Sequence, residues 1–140
     1  MTAHKSKISI LLIDDDEGTN YLNKVLLQDD ERTHDLHICD SSKGALEYLS
    51  NAITEVNNAL HKIPNLILLD INMPCMNGWE FLEEYKLLPQ DKLQDVKIVM
   101  LTTSLNPLDK RMAEKAKELS AFEHKPLTTK MIEKIFDTYF

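Results

Sequence analysis

The chain has 140 residues, about one domain's worth of polypeptide, and its 43% hydrophobic and 28% charged residues exclude wholesale disorder and a collagen-like fibre. Its formal net charge of −7 repels phosphate backbones and anionic lipid headgroups, which argues against direct binding to nucleic acid or to a membrane surface. Two cysteines make no disulfide framework, and neither a secretory signal nor an apolar stretch of the ~20 residues that span a membrane is present, so the predicted location is cytoplasmic.

The first part of the chain predicts two strands and two helices in alternation. The apolar run at residues 8–13 is rich in β-branched residues and lacks regular polar alternation, so it predicts a strand buried on both faces. Apolar residues recur with helical spacing at residues 22–26 and again at 46–60, which predicts the first two helices. Residues 35–39, between them, predict a weaker strand nearer the edge of the sheet.

The rest of the chain continues the same alternation. Its elements are predicted at residues 66–69 (strand), 79–85 (helix), 98–101 (strand), 108–119 (helix), 121–124 (weaker strand) and 131–139 (helix). Asn106 followed by Pro107 predicts the start of the fourth helix, because Asn offers a side-chain acceptor for unpaired amides and Pro suits the first helical position. Thr128 is the predicted cap of the last helix.

Strict alternation of strands and helices predicts a parallel sheet with helices on both faces, because right-handed crossovers place the helices there. About five strand–helix units fit this length, whereas an eight-fold barrel needs ~250 residues. The predicted fold class is α/β, a doubly wound five-stranded sheet of the flavodoxin-like type with strand order 2-1-3-4-5. Residues 1–140 are predicted to form a single domain. In this architecture ligands bind at the carboxyl ends of the first and third strands.

Acidic residues follow both of those strands. Asp14 and Asp15 come directly after the first strand, and Asp70 comes directly after the third. The first pair alone is also compatible with a solvated turn whose acids favour a helix N-terminus. Together the three carboxylates would repel one another in a partly desolvated crevice and raise at least one pKa, unless a cation compensates. Oxygen ligands of this kind suit Mg²⁺.

A hydroxyl and an ammonium group follow the last two strands. Thr102 ends the fourth strand, and Lys125 ends the fifth. A carboxylate, a cation site, a hydroxyl and an ammonium at one sheet edge can receive a transferred phosphoryl group. One carboxylate would attack phosphorus, the metal and the ammonium would neutralise its oxygens, and the hydroxyl would donate a hydrogen bond.

These motifs resemble the receiver domain of a bacterial two-component response regulator, from Ile8 to about Tyr139. The residues that carry the resemblance are Leu12-Ile13-Asp14-Asp15-Asp16, Leu68-Leu69-Asp70-Ile71-Asn72-Met73-Pro74-Cys75-Met76-Asn77-Gly78, Leu101-Thr102-Thr103-Ser104 and His124-Lys125-Pro126. Together they are highly specific, although each alone would be weak.

The resemblance implies a phosphorylation site and a metal site. Asp70 would be the phospho-acceptor. A sensor histidine kinase or a histidine phosphotransfer protein would supply the phosphoryl group. Asp15, Asp70 and the backbone carbonyl of Asn72 would bind Mg²⁺, and Asp14 would support the metal through water.

It also implies three further features at the last two strands. Thr102 would contact the phosphoryl group, Lys125 would pair with it, and the peptide bond from Lys125 to Pro126 would be cis. Phe122 falls where the family has an aromatic rotamer switch.

Only the residues of one helix follow Lys125, so we expect a stand-alone receiver over residues 1–140 without an output domain. Such a protein would either bind a downstream protein target through a conformational change of its surface or hand the phosphoryl group to a histidine phosphotransfer protein. It would catalyse only its own phosphorylation and dephosphorylation. Two positions depart from the family pattern. Cys75 stands where receivers often have Gly, and residues 118–121 lack the Gly that usually precedes the fifth strand.

Two other classes of protein share parts of this pattern. Haloacid-dehalogenase-type phosphatases also use a strand-end aspartate with Mg²⁺, but Gly18 stands where their first motif has Thr or Val, and there is no room for their usual cap domain. A flavin-binding module would need a phosphate-binding loop after the first strand, where residues 14–17 are all acidic and would repel a phosphate.

Overall fold

Five strands alternate with five helices in the computed structural model, which describes residues 7–54 and 62–140. The strands are β1 (Ile8–Ile13), β2 (Thr33–Cys39), β3 (Leu66–Asp70), β4 (Lys97–Thr102) and β5 (Leu119–His124). The helices are α1 (Glu17–Gln28), α2 (Ser42–Thr54), α3 (Gly78–Tyr85), α4 (Pro107–Lys115) and α5 (Thr129–Tyr139). A short 3₁₀ turn at Gln90–Lys92 precedes β4.

All paired strands are parallel, and their order in the sheet is β2-β1-β3-β4-β5. This confirms the predicted doubly wound, flavodoxin-like fold. The three central strands are almost wholly buried, and every residue of β3 is buried. The reversal of strand order lies at β1, so the carboxyl ends of β1 and β3 lie side by side.

The core has one layer on each face of the sheet. On one face, buried side chains of α2 and α3 pack against alternate residues of the central strands, with Phe81 and Leu49 fully buried. On the other face, Leu27 of α1 and Phe136 of α5 pack against the intervening strand residues. Alternate strand residues therefore point into opposite layers, as the pleat of a buried sheet requires.

One assignment from the helical pattern is wrong. Leu119 was predicted in the fourth helix, but it begins β5 and pairs with Ile98 of β4. The helix ends at Lys115 because Ala116 has an extended backbone, with φ −80° and ψ 106°. A partly buried apolar residue at the start of an edge strand fits a 3.6-residue period by chance, and strand pairing decides its conformation.

The first helix packs differently from what its apolar pattern suggests, and part of the second predicted helix lies outside the described residues. The pattern at residues 22–26 does form a helix, but Leu22 and Val25 are exposed, and Leu27 is the apolar residue of α1 that is buried. The second helix was predicted to reach Leu60. Its Val56 and Leu60 lie outside the described residues, and α2 is described to Thr54. In the described part of the chain, no helix is long and apolar enough to cross a membrane.

Candidate functional site

Three buried polar side chains stand at the carboxyl edge of the central strands. Asp14 follows β1 and is 2% exposed, Asp70 ends β3 and is 5% exposed, and Thr102 ends β4 and is fully buried. Because neighbouring parallel strands end at the same edge, β1, β3 and β4 place these groups together. The sequence prediction that Asp14, Asp15 and Asp70 converge is confirmed.

Lys125 closes the site from the end of β5. Its Nζ lies 2.6 Å from Oδ2 of Asp14 and 3.1 Å from Oδ1 of Asp70, so one ammonium bridges both buried carboxylates. Its backbone amide donates to the carbonyl oxygen of Thr102 at 2.9 Å, which fixes the chain beside the end of β4. The peptide bond from Lys125 to Pro126 is cis, as the resemblance implies.

The charges of the site shift two pKa values. The pKa of Asp70 is raised, first because burial disfavours its charged form and then because Asp14 repels it; Lys125 opposes this shift. Burial alone would lower the pKa of Lys125, but its hydrogen bond and attraction to Asp14, followed by its attraction to Asp70, raise it. The two carboxylates therefore favour the charged form of Lys125, whereas burial and Asp14 disfavour the charged form of Asp70.

The acidic residues at this edge fit a divalent cation. Asp14, Asp15 and Asp70 each offer a carboxylate oxygen, and these atoms all lie within 4.8 Å of one another. Asp15 is exposed, so an ion held here could keep water ligands on its solvent side, as Mg²⁺ usually does. Asn72 lies two residues beyond Asp70 with its side chain exposed. Its predicted role through the backbone carbonyl stays a prediction.

The turn after β1 is held by bonds to Asp14. The amide of Asp16 donates to Oδ1 of Asp14 at 2.9 Å, and Nδ2 of the buried Asn20 donates to the carbonyl oxygen of Asp14 at 2.7 Å. Asp16 then caps α1 by accepting the amide of Thr19 at 2.8 Å. Asn20 was not predicted as a site residue. Its signal would have been a polar residue on the buried side of α1, which is visible only once the helix is docked.

The turn after β3 is held by close backbone packing. The amide of Gly78 donates to the carbonyl oxygen of Ile71 at 2.8 Å, and a Cβ at residue 78 would lie 2.6 Å from the carbonyl oxygen of Asp70. Asn77 and Glu80 form a capping box at the start of α3. The loop that follows Asp70 is therefore tied directly to the first turn of α3.

Cys75 adopts the backbone conformation that Gly favours. Its φ is +68°, in the left-handed region, and its side chain is exposed. This accounts for the family's frequent Gly at this position, since Gly enters the region without the steric cost that Cys incurs. Cys75 therefore adopts this backbone conformation despite carrying a Cβ.

Phe122 lies behind Thr102 on the same face of the sheet. In the parallel pairing of β4 and β5, Met100 is opposite Phe122 and Thr102 is opposite His124. Phe122 is half-buried against the core layer that contains Met100, and its ring is 5.8 Å from that of His124 in an edge-to-face arrangement. The structure thus puts Phe122 two residues below the level of the site, and its function as a switch stays a prediction.

Comparisons with known proteins agree with this fold. The family model of the response regulator receiver domain matches residues 10–137. The structure is similar to that of a two-component response regulator from Cytophaga hutchinsonii, with a TM-score of 0.83 and 30% identity over 95% of this chain and 97% of that chain. A two-component response regulator from Legionella pneumophila is similar at a TM-score of 0.75 and 30% identity, over 95% of this chain and 98% of that chain.

Curated relatives match over shorter regions. Response regulator Rcp1 of Synechocystis is 36% identical over 100 residues, which are 71% of this chain and 65% of Rcp1. A protein-glutamate methylesterase of Desulfotalea psychrophila is 44% identical over 69 residues, only 18% of its length. The matched regions of these relatives thus span less than two thirds of their own lengths.

The chain belongs to the response regulator receiver domain family of two-component signalling. Receiver domains of this family interact with histidine kinases and with downstream targets.

Proposed function

We propose that this protein accepts a phosphoryl group on Asp70 from a phosphohistidine of a sensor kinase or of a histidine phosphotransfer protein, in a reaction that depends on Mg²⁺. The observation that carries the proposal is the bridging of two buried carboxylates, Asp14 and Asp70, by Lys125. The absence of an output domain from residues 1–140, a downstream protein target and a cytoplasmic location remain predictions from the sequence.

The proposed chemistry assigns one role to each side chain. A carboxylate oxygen of Asp70 attacks phosphorus, and the bond from phosphorus to the donor nitrogen breaks, so that the donor leaves with the electron pair and takes up a proton from solvent. Lys125 neutralises charge on the phosphoryl oxygens. In the resting structure the hydroxyl of Thr102 accepts a hydrogen bond from the amide of Ser104, and after turning towards Asp70 it can donate a hydrogen bond to a phosphoryl oxygen.

The metal would be held by the carboxylates of Asp15 and Asp70 and the backbone carbonyl of Asn72, with Asp14 behind them. When bound, Mg²⁺ supplies positive charge that compensates the clustered carboxylates and the incoming phosphoryl group. The chain would catalyse only its own phosphorylation and dephosphorylation.

Mass spectrometry of the intact protein tests the acceptor. After incubation with acetyl phosphate and Mg²⁺, the wild type should gain the mass of one phosphoryl group, and Asp70→Asn should gain none. Asp40→Asn is a matched control, because Asp40 is an exposed carboxylate just beyond the end of β2 and should label normally. Full labelling of Asp70→Asn would overturn the assignment and would make Asp14 or Asp15 the next acceptors to test. A phosphatase would consume the donor without retaining the phosphoryl group for an appreciable time.

Thr102 and Phe122 would transmit phosphorylation to the surface of the protein. Drawing the Thr102 hydroxyl towards a phosphoryl group would vacate space behind β4 for the Phe122 ring and change the surface near Leu108 and Met112, whose side chains are exposed. Amide NMR with beryllofluoride and Mg²⁺ should then show shifts that spread from Thr102 through Phe122 to residues 108–112. Shifts confined to the loops around Asp70 and Lys125 would contradict this route.

A further inference from the structure

A chain of hydrogen bonds joins the first turns of α3 and α4 to Thr102. Nε1 of Trp79 donates to Oδ1 of Asp109 at 3.0 Å, and the hydroxyl of Ser104 donates to Oδ2 of the same carboxylate at 2.5 Å. The amide of Ser104 in turn donates to Oγ1 of Thr102 at 2.8 Å. One carboxylate on α4 therefore links a side chain of α3 to the loop that follows the buried Thr102.

Each end of this bridge is held in place. Trp79 is half-buried against the core layer under α3. Asp109 lies in the first turn of α4, where the helix dipole favours a negative charge, and it is itself half-buried. Hydrogen bonds to a carboxylate are stronger than bonds between neutral groups, and partial exclusion of water strengthens them further. The bridge is therefore stronger than an ordinary surface contact.

The bridge restrains the movement that the proposed function requires of Thr102. When the Thr102 hydroxyl turns towards Asp70, its Oγ1 leaves the position in which it accepts the amide of Ser104, unless the loop follows. The loop cannot follow freely, because the Ser104 hydroxyl is bonded to Asp109 and Asp109 is bonded to Trp79. Loosening either bond should ease the turn of Thr102.

We propose that Asp109 is a positioning residue that holds Ser104, and through it the Thr102 hydroxyl, in the resting orientation, and that Trp79 anchors Asp109. This inference rests on the proposed function for its link to Asp70. It adds a restraint across the α3 and α4 N-termini that is separate from the route through Phe122. A variant that breaks the bridge should take up a phosphoryl group faster than the wild type.

The first experiment needs no phosphorylation. Trp79→Phe removes the indole donor but keeps an aromatic ring, and Asp109→Ala removes both acceptors. In either variant the Ser104 amide should shift in NMR spectra and exchange its hydrogen about threefold to tenfold faster, because its bond to Thr102 is no longer held in place. Glu114→Ala, which removes an exposed acid from the same helix, should leave Ser104 unchanged. An unchanged Ser104 amide in both bridge variants would overturn the proposal.

A double-mutant cycle separates the bridge from general damage to α4. If Trp79 acts through Asp109, the combined Trp79→Phe and Asp109→Ala variant should match Asp109→Ala alone in the exchange rate of the Ser104 amide. Additive effects would mean that the two residues act independently, and would overturn the assignment of Trp79 as the anchor.

The second experiment measures the rate of labelling by acetyl phosphate at saturating Mg²⁺, followed by intact mass. Trp79→Phe and Asp109→Ala should each label about threefold or more faster than the wild type, whereas Glu114→Ala should match it. A purely structural contact would leave the rate unchanged or lower it, and that result would overturn the positioning role. If the wild type takes up no phosphoryl group, the proposed function fails, and the Ser104 amide still decides whether the bridge couples to Thr102.

Discussion

Replacing Lys125 with Met tests whether the ammonium holds the carboxylate cluster together. Lys125 has a side chain only 15% exposed and lies between Asp14 and Asp70, whose side chains are 3% and 7% exposed. Met keeps the length and most of the packing of the side chain and removes its charge. Two buried carboxylates then face each other without a compensating cation, so we expect a lower free energy of unfolding at pH 7.

The size of the loss follows from the distances. At an effective dielectric constant of about 20, the attraction of Lys125 is about 6 kcal/mol to Asp14 at 2.6 Å and about 5 kcal/mol to Asp70 at 3.1 Å. The cost of removing the ammonium from water offsets much of this, and loss of one partner from a buried ion pair typically costs about 3–5 kcal/mol. We therefore expect a loss of about 3 kcal/mol, or roughly 10 °C in melting temperature.

The effect should depend on pH in a defined direction. The pKa of Asp70 is raised even with Lys125 present, and loss of the cation removes the contribution that lowers it. A carboxyl group with a folded pKa above its unfolded value, ordinarily about 3.9, penalises the folded state at high pH, and the penalty disappears as the pH falls through the folded pKa. The difference between wild type and Lys125→Met should therefore shrink as the pH falls from 7 through the folded pKa of Asp70.

Urea and thermal unfolding measure this difference, with Lys117→Met as the control because Lys117 is exposed beyond α4. Added Mg²⁺ should stabilise Lys125→Met more than the wild type, since a divalent cation replaces the lost charge. A loss below about 1 kcal/mol that does not change with pH would refute the reasoning, because it would mean that desolvation of the ammonium cancels its attraction to the carboxylates.

Two further predictions concern neighbouring positions. Asp15→Asn should raise the melting temperature without metal, because it relieves repulsion within the carboxylate cluster. It should also weaken Mg²⁺ binding in calorimetry. A clear fall in melting temperature would mean that Asp15 is held by structural hydrogen bonds instead. Gly78→Ala should lower the unfolding free energy by about 2 kcal/mol or more and slow phosphoryl labelling, because its Cβ would meet the Asp70 carbonyl oxygen at 2.6 Å. Gly18 lies in α1, and a Cβ there would have its nearest contact at 3.6 Å, so Gly18→Ala should be neutral or stabilising by up to about 1 kcal/mol in the same assay. An equal loss of stability in both variants would show that the close contact at Gly78 is not the cause.

The central strands could be predicted from the sequence because burial on both faces leaves a continuous apolar signature. The edge strands were less well defined, and both begin two residues earlier than predicted. β2 begins at Thr33, whose hydroxyl donates to the carbonyl oxygen of Leu27 at 2.6 Å, and β5 begins at Leu119. A polar residue and an isolated Leu carry no strand pattern of their own, so only their partners place them in the sheet.

The apolar period predicted α1 but did not show whether its apolar side chains face the core or the solvent. Leu22 and Val25 are exposed beside a groove next to Lys125 and Pro126, whereas Asn20 and Asn23 are buried. The hydrophobic period reports a stripe on a helix, and it does not say whether the core or the solvent faces that stripe. Asn20 faces the core because its side chain donates a hydrogen bond to the carbonyl oxygen of Asp14. This contact forms only when the helix packs beside the end of β1.

The carboxylates and Lys125 could be located from the sequence because a parallel sheet converts strand ends into neighbours. The contact between Trp79 and Asp109 could not, because it depends on how two helices lie beside each other, and neither residue belongs to a strand end. The sequence therefore predicts which side chains are neighbours where the sheet sets their positions, at the ends of its strands. Beyond it, in the loops and helix starts, polar contacts depend on packing that the pattern of residues does not encode.

Burial of the carboxylate cluster has a cost that the surrounding strands and Lys125 offset. Clustering Asp14 and Asp70 out of water opposes folding, as the raised pKa of Asp70 shows. Apolar burial along β1, β3 and β4 offsets that cost, and Lys125 reduces it by bridging the two carboxylates. Under the proposed function, stability and phosphoryl transfer would oppose each other at Asp70, because the burial that disfavours its charge in the resting protein would also exclude water and strengthen its interactions with a cation and a phosphoryl group.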